Sequence, residues 1–280
     1  MDRGHIILPQ FGWGFFSNYF RTLSHIMEAD RYCLEPWVDW RNTSFVEGYN
    51  PYKPDTMPES PENPWDWWFD QRELANDKLV TVYVDYNTFD HQSRVWQRPH
   101  IPVFRKINDK YIKIKKHITD KVDAIYEAEF RGKIVLGVMA RGCEMNKGHA
   151  EFGNQTIDTW LEKITAVTSK HKIDKIFIVT EDSHYLPYFD KQFSNTFYLK
   201  DVFRRTDETL DYMEGCLIWF ALDDRRENHC QLLGEECLIQ ALLLSKCDYL
   251  IIKQCGTSSA AILFSDDIKE VFYTMPEDVV

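Results

Sequence analysis

The stretch KIVLGVMA, residues 133–140, runs directly into Arg141 and Gly142. An unbroken apolar run of this length is typical of a strand that is buried on both faces of a parallel sheet. Similar runs recur at 175–180 (KIFIVT) and 249–252 (YLII), with helical patterns between them. Because strands alternate with helices, we expect an α/β fold whose C-terminal half is a doubly wound parallel sheet.

The same patterns predict the other elements. Asn63 and Pro64 suit the start of a helix, and Gly132 suits the end of one. Helices are predicted over residues 17–33, 65–74, 107–130, 155–169, 184–193, 235–245 and 258–264. Strands are predicted over residues 37–40, 79–84, 133–140, 175–180, 196–199, 249–252 and 270–273.

We expect two domains in this chain of 280 residues. Residues 1–130 would form an N-terminal α/β domain that contains a proline-rich loop at 49–64. Residues 131–280 would form a C-terminal Rossmann-like domain.

Composition excludes several classes of protein. The net charge of -11 argues against nucleic-acid binding, which needs basic stripes. No window approaches the apolar length of a membrane span, and there is no signal-peptide pattern. The seven cysteines form no C-x-x-C pair. Reduced thiols in the cytoplasm fit best, and a membrane-tethered parent that was trimmed is the alternative.

Arg141 follows the first buried strand of the C-terminal half. Ligands of doubly wound sheets bind beyond the carboxyl ends of the strands, so we expect a diphosphate near Arg141 and Gly142. A guanidinium can meet two phosphate oxygens at once and stays charged. The alternative, equally weighted from position alone, is a structural ion pair with Glu144 or another acid.

Residues 253–259, KQCGTSS, follow the strand 249–252 and open a helix. Free N–H groups and hydroxyls at a helix N-terminus bind anions, which makes Thr257, Ser258 and Ser259 candidates for the diphosphate. The alternative is that Thr257 or Ser258 is only an N-cap.

Two aromatic segments give weaker signals. The turn that contains Gly12, Gly14 and Phe15 lies between a strand and a helix, but its glycines are far from a dinucleotide fingerprint and could simply allow tight packing. Trp65 and Trp68 could stack on an acceptor sugar, although core packing is the better interpretation at helical spacing.

Several motifs are absent from the sequence. No two aspartates stand two residues apart, so the D-x-D motif of metal-dependent glycosyltransferases is missing. There is no P-loop and no G-x-S-x-G elbow, and the histidines lack metal-ligand spacing. We therefore expect that the protein uses neither a metal ion nor another cofactor. Arginine and helix ends would instead neutralise the charge of the diphosphate.

The segments above resemble a known superfamily. The resemblance extends over GFFSN (14–18), PWVDW (36–40), NPWD (63–66), LGVMARGCE (136–144), GH (148–149), VTED (179–182), GEE (234–236), LLLSKCDYLI (242–251) and TSS (257–259). In these segments the chain resembles the fucosyltransferases, which include α-1,6-, nodulation-factor and protein O-fucosyltransferases.

The resemblance implies a GT-B-like fold with two Rossmann-like domains facing a cleft. It also implies inverting, metal-independent transfer of a sugar, with fucose as the leading guess, from a nucleoside-diphosphate donor to a glycan or other hydroxyl acceptor. Arg141 would bind the β-phosphate. The donor-binding residues expected from both arguments are Gly12, Gly14, Phe15, Met139, Arg141, Gly142, Asp182, Gln240, Thr257, Ser258 and Ser259.

Two positions depart from the family pattern. Met139 stands where the family has a histidine, and Gln240 where it has an acid, and both positions help to hold guanine. Both departures fall at the nucleobase, so they bear on whether the donor is GDP-fucose and not on the transfer chemistry. Glu144 and His149 are candidate catalytic residues as the general base, and Asp182 is a third. The alternatives are a silent nucleotide- or sugar-binding homologue and an unrelated Rossmann-like enzyme.

Overall fold

The structure is a computed structural model that describes residues 2–7, 14–47, 62–74, 78–82, 100–142, 155–204 and 226–274. The strands in chain order are β1 (Asp2–Ile7), β2 (Glu35–Asp39), β3 (Phe69–Asp70), β4 (Lys78–Thr81), β5 (Lys113–Ile114), β6 (Val135–Met139), β7 (Lys175–Val179), β8 (Thr196–Phe197), β9 (Tyr249–Ile252) and β10 (Glu270–Tyr273). The helices are α1 (Phe15–Arg31), α2 (Trp65–Trp68), α3 (Ile101–Tyr111), α4 (Lys116–Glu129), α5 (Ile157–Lys170), α6 (Leu186–Gln192), α7 (His229–Leu244) and α8 (Gly256–Leu263).

The chain divides into two compact units. The first unit comprises Met1–Asp120 and Trp219–Cys237, and the second comprises Lys121–Ile218 and Leu238–Val280. This division differs from the predicted domains in two respects: the first unit ends before residue 130, and residues 219–237 group with it. The expected cleft stays a prediction.

The first unit contains a parallel sheet in the order β2-β1-β4. Helix α1 packs an aromatic and aliphatic face into the core, where Tyr19, Phe20 and Leu23 are fully buried. Near the start of α7, Gly234 lies so close to Trp68 that an added Cβ would come within 2.3 Å of the indole ring. The indole N–H of Trp68 also donates a hydrogen bond of 3.0 Å to the Gln231 carbonyl. The beginning of α7 is therefore part of the core of this unit.

The second unit is built on a five-stranded sheet in the order β10-β9-β6-β7-β8, and every neighbouring pair is parallel. The first strand of the unit, β6, is central. The chain moves outward through β7 and β8, and then returns to the other side of β6 through β9 and β10. This is the Rossmann strand order, whose direction reverses between β6 and β9. The predicted α/β fold with a doubly wound parallel sheet is confirmed.

Helices cover both faces of this sheet. On one face, Trp160 and Ile164 of α5 and Phe189 of α6 pack on Leu136 and Val138 of β6. On the other face, a Cβ added to Gly137 would lie 2.9 Å from both the Leu244 and Cys247 side chains. Burial on both faces explains why the strands of this unit are continuous apolar runs.

The amino-terminal edge of the five-stranded sheet is fixed by polar contacts. Asp248 Oδ2 accepts a hydrogen bond of 2.9 Å from the Val135 N–H, and its other carboxyl oxygen forms an ion pair of 2.7 Å with Lys269. Lys175, the first residue of β7, forms an ion pair with Glu129. These contacts lie at the opposite end of the strands from Arg141.

Three predicted helices are wrong in extent. The helix predicted over 235–245 begins earlier, at His229. The helix predicted over 107–130 is α3 and α4, which β5 separates. The alternation of Ile112 and Ile114 with polar residues suits a strand, and β5 pairs with β3. The helix predicted over 65–74 ends at Trp68, since Phe69 enters β3. At the end of α4, Gly132 has a φ of 73° and ends the helix as predicted. Within the described part of the chain, no helix is long and apolar enough to cross a membrane.

Candidate functional site

Three chain segments meet the carboxyl-terminal edge of the five-stranded sheet at neighbouring positions. Met139, the last residue of β6, is in register with Val179 of β7 and with Ile252 of β9. Arg141 and Gly142 therefore follow β6 between the acidic end of β7 and the loop after β9 that opens α8. This edge is the ligand-binding position of the Rossmann strand order.

The Arg141 side chain is largely buried, with 14 % of its surface exposed. Its Nε atom lies 3.4 Å from Oε1 of Glu181, which follows β7. The same carboxylate oxygen accepts a hydrogen bond of 2.7 Å from the Gly142 N–H. The alternative prediction of an ion pair between Arg141 and an acid is therefore met by Glu181. Glu144 lies outside the described residues.

Gly142 is in close contact with Asp182. A Cβ added at Gly142 would lie 2.5 Å from the Asp182 Cβ and 2.8 Å from its Oδ2, closer than real Cβ contacts allow. The Asp182 carboxylate in turn accepts a hydrogen bond of 2.9 Å from the His184 N–H and caps a short 3₁₀ helix at Ser183–Tyr185. Only glycine fits at position 142, which explains why Arg141 is followed by this residue.

The N-terminus of α8 is closed by a capping box. The Cys255 N–H donates to Ser258 Oγ at 3.0 Å, the Ser258 N–H donates to the Cys255 side chain, and the Ser258 hydroxyl donates to the Lys253 carbonyl at 2.9 Å. The hydroxyl and the N–H of Ser258 are thus used within the cap. Ser258 therefore takes part in capping as the N3 residue of the box, while the N-cap is Cys255 and not Thr257 or Ser258.

The backbone of α8 keeps other donors. Ser259 makes the first intrahelical hydrogen bond, of 3.0 Å to the Cys255 carbonyl. The N–H groups of Gly256 and Thr257 precede it, so the ladder of the helix does not use them. The partial positive charge of a helix N-terminus adds to that of the Arg141 guanidinium. An arginine and two backbone donors at adjacent strand ends can hold a phosphate group.

The remaining predicted donor residues are placed as follows. Met139 and Gln240 are buried, in β6 and α7, and Asp182 is the capping residue described above. Gly14 is the N-cap of α1, and Phe15 is buried in the first unit. Gly12, Glu144 and His149 lie outside the described residues.

Trp65 and Trp68 belong to an aromatic cluster in the first unit. Their exposed fractions are 2 % and 0 %. Trp65 stacks on Phe69 at a centroid distance of 4.1 Å, and Trp68 meets Phe15 edge to face at 5.1 Å. The structure supports the core-packing interpretation of both tryptophans, since neither ring offers a face to a sugar.

The first unit has a polar cluster near the carboxyl end of β2. Burial raises the pKa of Asp39, but hydrogen bonds from Arg41, including one of 2.6 Å, and from His5 outweigh it, so the pKa lies below its usual value. Nearby, burial raises the pKa of Asp66 despite a hydrogen bond of 2.8 Å from Gln71. The two carboxyls therefore differ in the pH at which they lose their charge.

No group of three or more potential metal ligands is present within the described residues.

Sequence reasoning named the VTED segment but did not single out Glu181. The available signal was an acid directly after the strand next to β6. Its partner Arg141 lies forty positions away in the sequence, so only the register of β6 and β7 brings the two together.

The sequence matches no protein-family model and no curated protein. Solved structures do match. NodZ α-1,6-fucosyltransferase soaked with GDP-fucose has a TM-score of 0.55 and 16% identity, over 95% of this chain and 93% of that one. The chain has the fold of a fucosyltransferase. NodZ co-crystallised with GDP gives a TM-score of 0.56 at 16% identity, and selenomethionine NodZ from Bradyrhizobium gives 0.56 at 15%, each with the same coverage. The expected resemblance is confirmed at the level of the fold.

Proposed function

We propose that the chain is a metal-independent, inverting glycosyltransferase that uses a nucleoside-diphosphate sugar as donor and a glycan as acceptor. The observation that carries this proposal is the position of Arg141 and the α8 N-terminus. They follow β6 and β9, the two strands between which the strand order reverses. Such positions bind nucleotides, and an arginine beside a helix N-terminus suits a diphosphate.

Fucose is the leading candidate for the transferred sugar. The NodZ structures with GDP-fucose and GDP support this choice, because this chain shares their fold. Met139 and Gln240 replace the histidine and the acid of the family pattern at the guanine site. The first experiment therefore compares nucleotides that carry different bases.

The proposed reaction needs charge stabilisation more than covalent chemistry. The acceptor hydroxyl attacks the anomeric carbon, the bond from that carbon to the diphosphate oxygen breaks, and negative charge develops on the leaving diphosphate. Arg141 and the N–H groups of Gly256 and Thr257 would stabilise that charge. Loss of one such preorganised donor typically lowers kcat by about 10²- to 10³-fold. Because arginine and a helix end supply the positive charge, and the sequence lacks a D-x-D motif, we propose transfer without a metal ion.

The general base accepts the proton of the acceptor hydroxyl. Glu144 and His149 are the candidates because they follow Arg141 closely in the sequence. Asp182 is the third, although its carboxylate caps the 3₁₀ helix. We propose that the N-terminal half, including the loop 49–64, recognises the acceptor. We also propose that the protein is located in the cytoplasm.

Thermal stabilisation by nucleotides tests the donor site. GDP, UDP, ADP and CMP are added without metal to the wild type, to Arg141→Ala and to Arg131→Ala. Arg131 is an exposed arginine of the same unit that pairs with Glu127 at 2.7 Å, and it serves as the matched control. A diphosphate at about 100 times its Kd stabilises a protein by roughly 2.7 kcal/mol. We expect one diphosphate to raise the Tm of the wild type and of Arg131→Ala, and not that of Arg141→Ala.

A protein that no nucleoside diphosphate stabilises would refute the proposed donor site. The replacements at 139 and 240 favour one second candidate, a homologue that binds the donor but has lost transfer. That candidate would show the Arg141-dependent stabilisation, yet it would release no nucleoside diphosphate from the sugar nucleotide in the presence of glycan acceptors.

A further inference from the structure

Glu181 joins two neighbouring groups of the proposed phosphate site. Its Oε1 atom accepts the Gly142 N–H at 2.7 Å and lies 3.4 Å from Arg141 Nε. We propose that Glu181 is a positioning residue that orients the Arg141 guanidinium towards the β-phosphate of the donor. This inference rests on the proposed function, since it requires a diphosphate next to Arg141.

The geometry supports orientation of the guanidinium rather than simple neutralisation. An arginine side chain rotates about four bonds, and the ion pair of 3.4 Å at Nε, which is an electrostatic contact and not a hydrogen bond, draws the end of the side chain towards Glu181. The Nη1 and Nη2 atoms form the edge of the guanidinium that can meet two phosphate oxygens at once. The hydrogen bond to the Gly142 N–H attaches the carboxylate to the backbone directly beside Arg141. One carboxylate oxygen thus restrains both the side chain and the main chain at the end of β6.

The second oxygen of Glu181 argues against a role in stability alone. Oε2 is buried and has no hydrogen-bond partner within the ranges that the structure describes. A buried carboxylate oxygen that is not hydrogen-bonded lowers stability, and buried polar groups normally find partners. An acid that served only to stabilise the fold is therefore poorly placed here, whereas an acid that holds a ligand-binding arginine is well placed.

The neighbouring acid provides an internal comparison. Asp182 uses its carboxylate to cap the 3₁₀ helix and packs against Gly142, while Glu181 extends to the Arg141 side chain. The two acids at the end of β7 therefore have different tasks. Of these two acids, Glu181 is the one whose carboxylate lies 3.4 Å from the Arg141 Nε atom.

The test compares the affinity for GDP with that for GMP, and the UDP/UMP and ADP/AMP pairs are measured in parallel. The Kd for GMP divided by the Kd for GDP measures how much the β-phosphate contributes to binding, and the same ratio is formed for the other pairs. We expect Glu181→Gln to lower this ratio about five- to tenfold, because a charged hydrogen-bond acceptor is replaced by a neutral one. Binding of GMP should stay within twofold of the wild type. Arg141→Ala should reduce the ratio further.

Glu129→Gln is the matched control. It removes a carboxylate from the ion pair with Lys175, at the amino-terminal end of β7, and it should leave the ratio unchanged. Glu181→Asp is the second variant if Glu181→Gln fails to fold. It keeps the charge but shortens the side chain by one methylene, and it should also lower the ratio.

The outcomes separate this inference from the proposed function. If the wild type binds none of the diphosphates, the proposed function fails. If Arg141→Ala lowers the ratio and both Glu181 variants keep it, the donor site stands and the positioning role is refuted. An equal loss of GMP and GDP affinity in Glu181→Gln would also overturn it, because a purely structural role weakens both ligands alike.

Discussion

Gly142→Ala is the sharpest test of the packing at the end of β6. The new Cβ would lie 2.5 Å from the Asp182 Cβ, about 1 Å closer than ordinary contact between carbon atoms. Relief of this contact must move the backbone at 142 or the end of β7. Overpacking of this kind costs about 1–3 kcal/mol. If the movement also breaks the 2.7 Å hydrogen bond to Glu181, a further cost of about 1.5–3 kcal/mol applies.

We therefore expect Gly142→Ala to lower the free energy of unfolding by about 1–3 kcal/mol, or by about 2.5–6 kcal/mol if the hydrogen bond also breaks, measured by urea denaturation. The same shift displaces Arg141, so binding of the nucleoside diphosphate should weaken by at least tenfold. Gly132→Ala is the control. Gly132 has no atom within 4 Å of an added Cβ but has a positive φ, so its substitution should cost about 1–2 kcal/mol of backbone strain without any change in binding. A Gly142→Ala protein within 0.5 kcal/mol of the wild type, and with its affinity, would refute this reasoning.

Three further outcomes are expected. Gly256→Pro removes one N–H from the start of α8, and proline is tolerated there because the preceding residue, Cys255, is extended (φ -161°, ψ 171°). The affinity for the diphosphate should therefore fall in Gly256→Pro, whereas Gly256→Ala should retain it. Equal affinities in calorimetric titrations of the two variants would exclude that N–H as a ligand. Gly234→Ala forces a Cβ to 2.3 Å from the Trp68 ring, and urea denaturation should show a loss of about 1–3 kcal/mol; a more stable variant would contradict the contact. The folded pKa of Asp39 is below its unfolded value, so its charge stabilises the fold above about pH 4, and this contribution disappears as the pH falls through the folded pKa. Asp39→Asn should therefore be less stable than the wild type at pH 7, and the difference should shrink as the pH falls below about 4. A deficit that does not depend on pH would argue against the ion pair.

The sequence predicts the second unit well because its central strands, β6, β7 and β9, are buried on both faces. Strands β9 and β10 have the predicted bounds, Tyr249–Ile252 and Glu270–Tyr273. Such apolar runs do not show the 3.6-residue period of an amphipathic helix, so a strand is the favoured prediction. Because strands alternate with helices, few chain topologies other than a parallel sheet are possible. The position of Arg141 at a carboxyl edge follows from the same pattern.

Prediction fails where local patterns agree with two structures. The apolar residues of 107–130 fit one helix, and Ile112 and Ile114 fit a strand equally well. Only the pairing of β5 with β3, which are distant in sequence, decides between them. The same reason hides the contact of Glu181 with Arg141, because it depends on a partner forty positions away that periodicity does not specify.

The polar contacts of the five-stranded sheet lie at the amino-terminal ends of its strands, so substitutions should be tolerated differently at the two ends of the strands. Asp248, Lys269 and the Lys175–Glu129 pair fasten the strands at the amino-terminal edge, far along each strand from Arg141. Substitutions at the opposite edge can then accumulate without loss of the strands that support them. Under the proposed function, a lineage could exchange a residue of the proposed nucleobase site, such as that at 139, and keep Arg141 at the proposed phosphate site. Donor preference could in this way diversify among descendants that retain the same architecture.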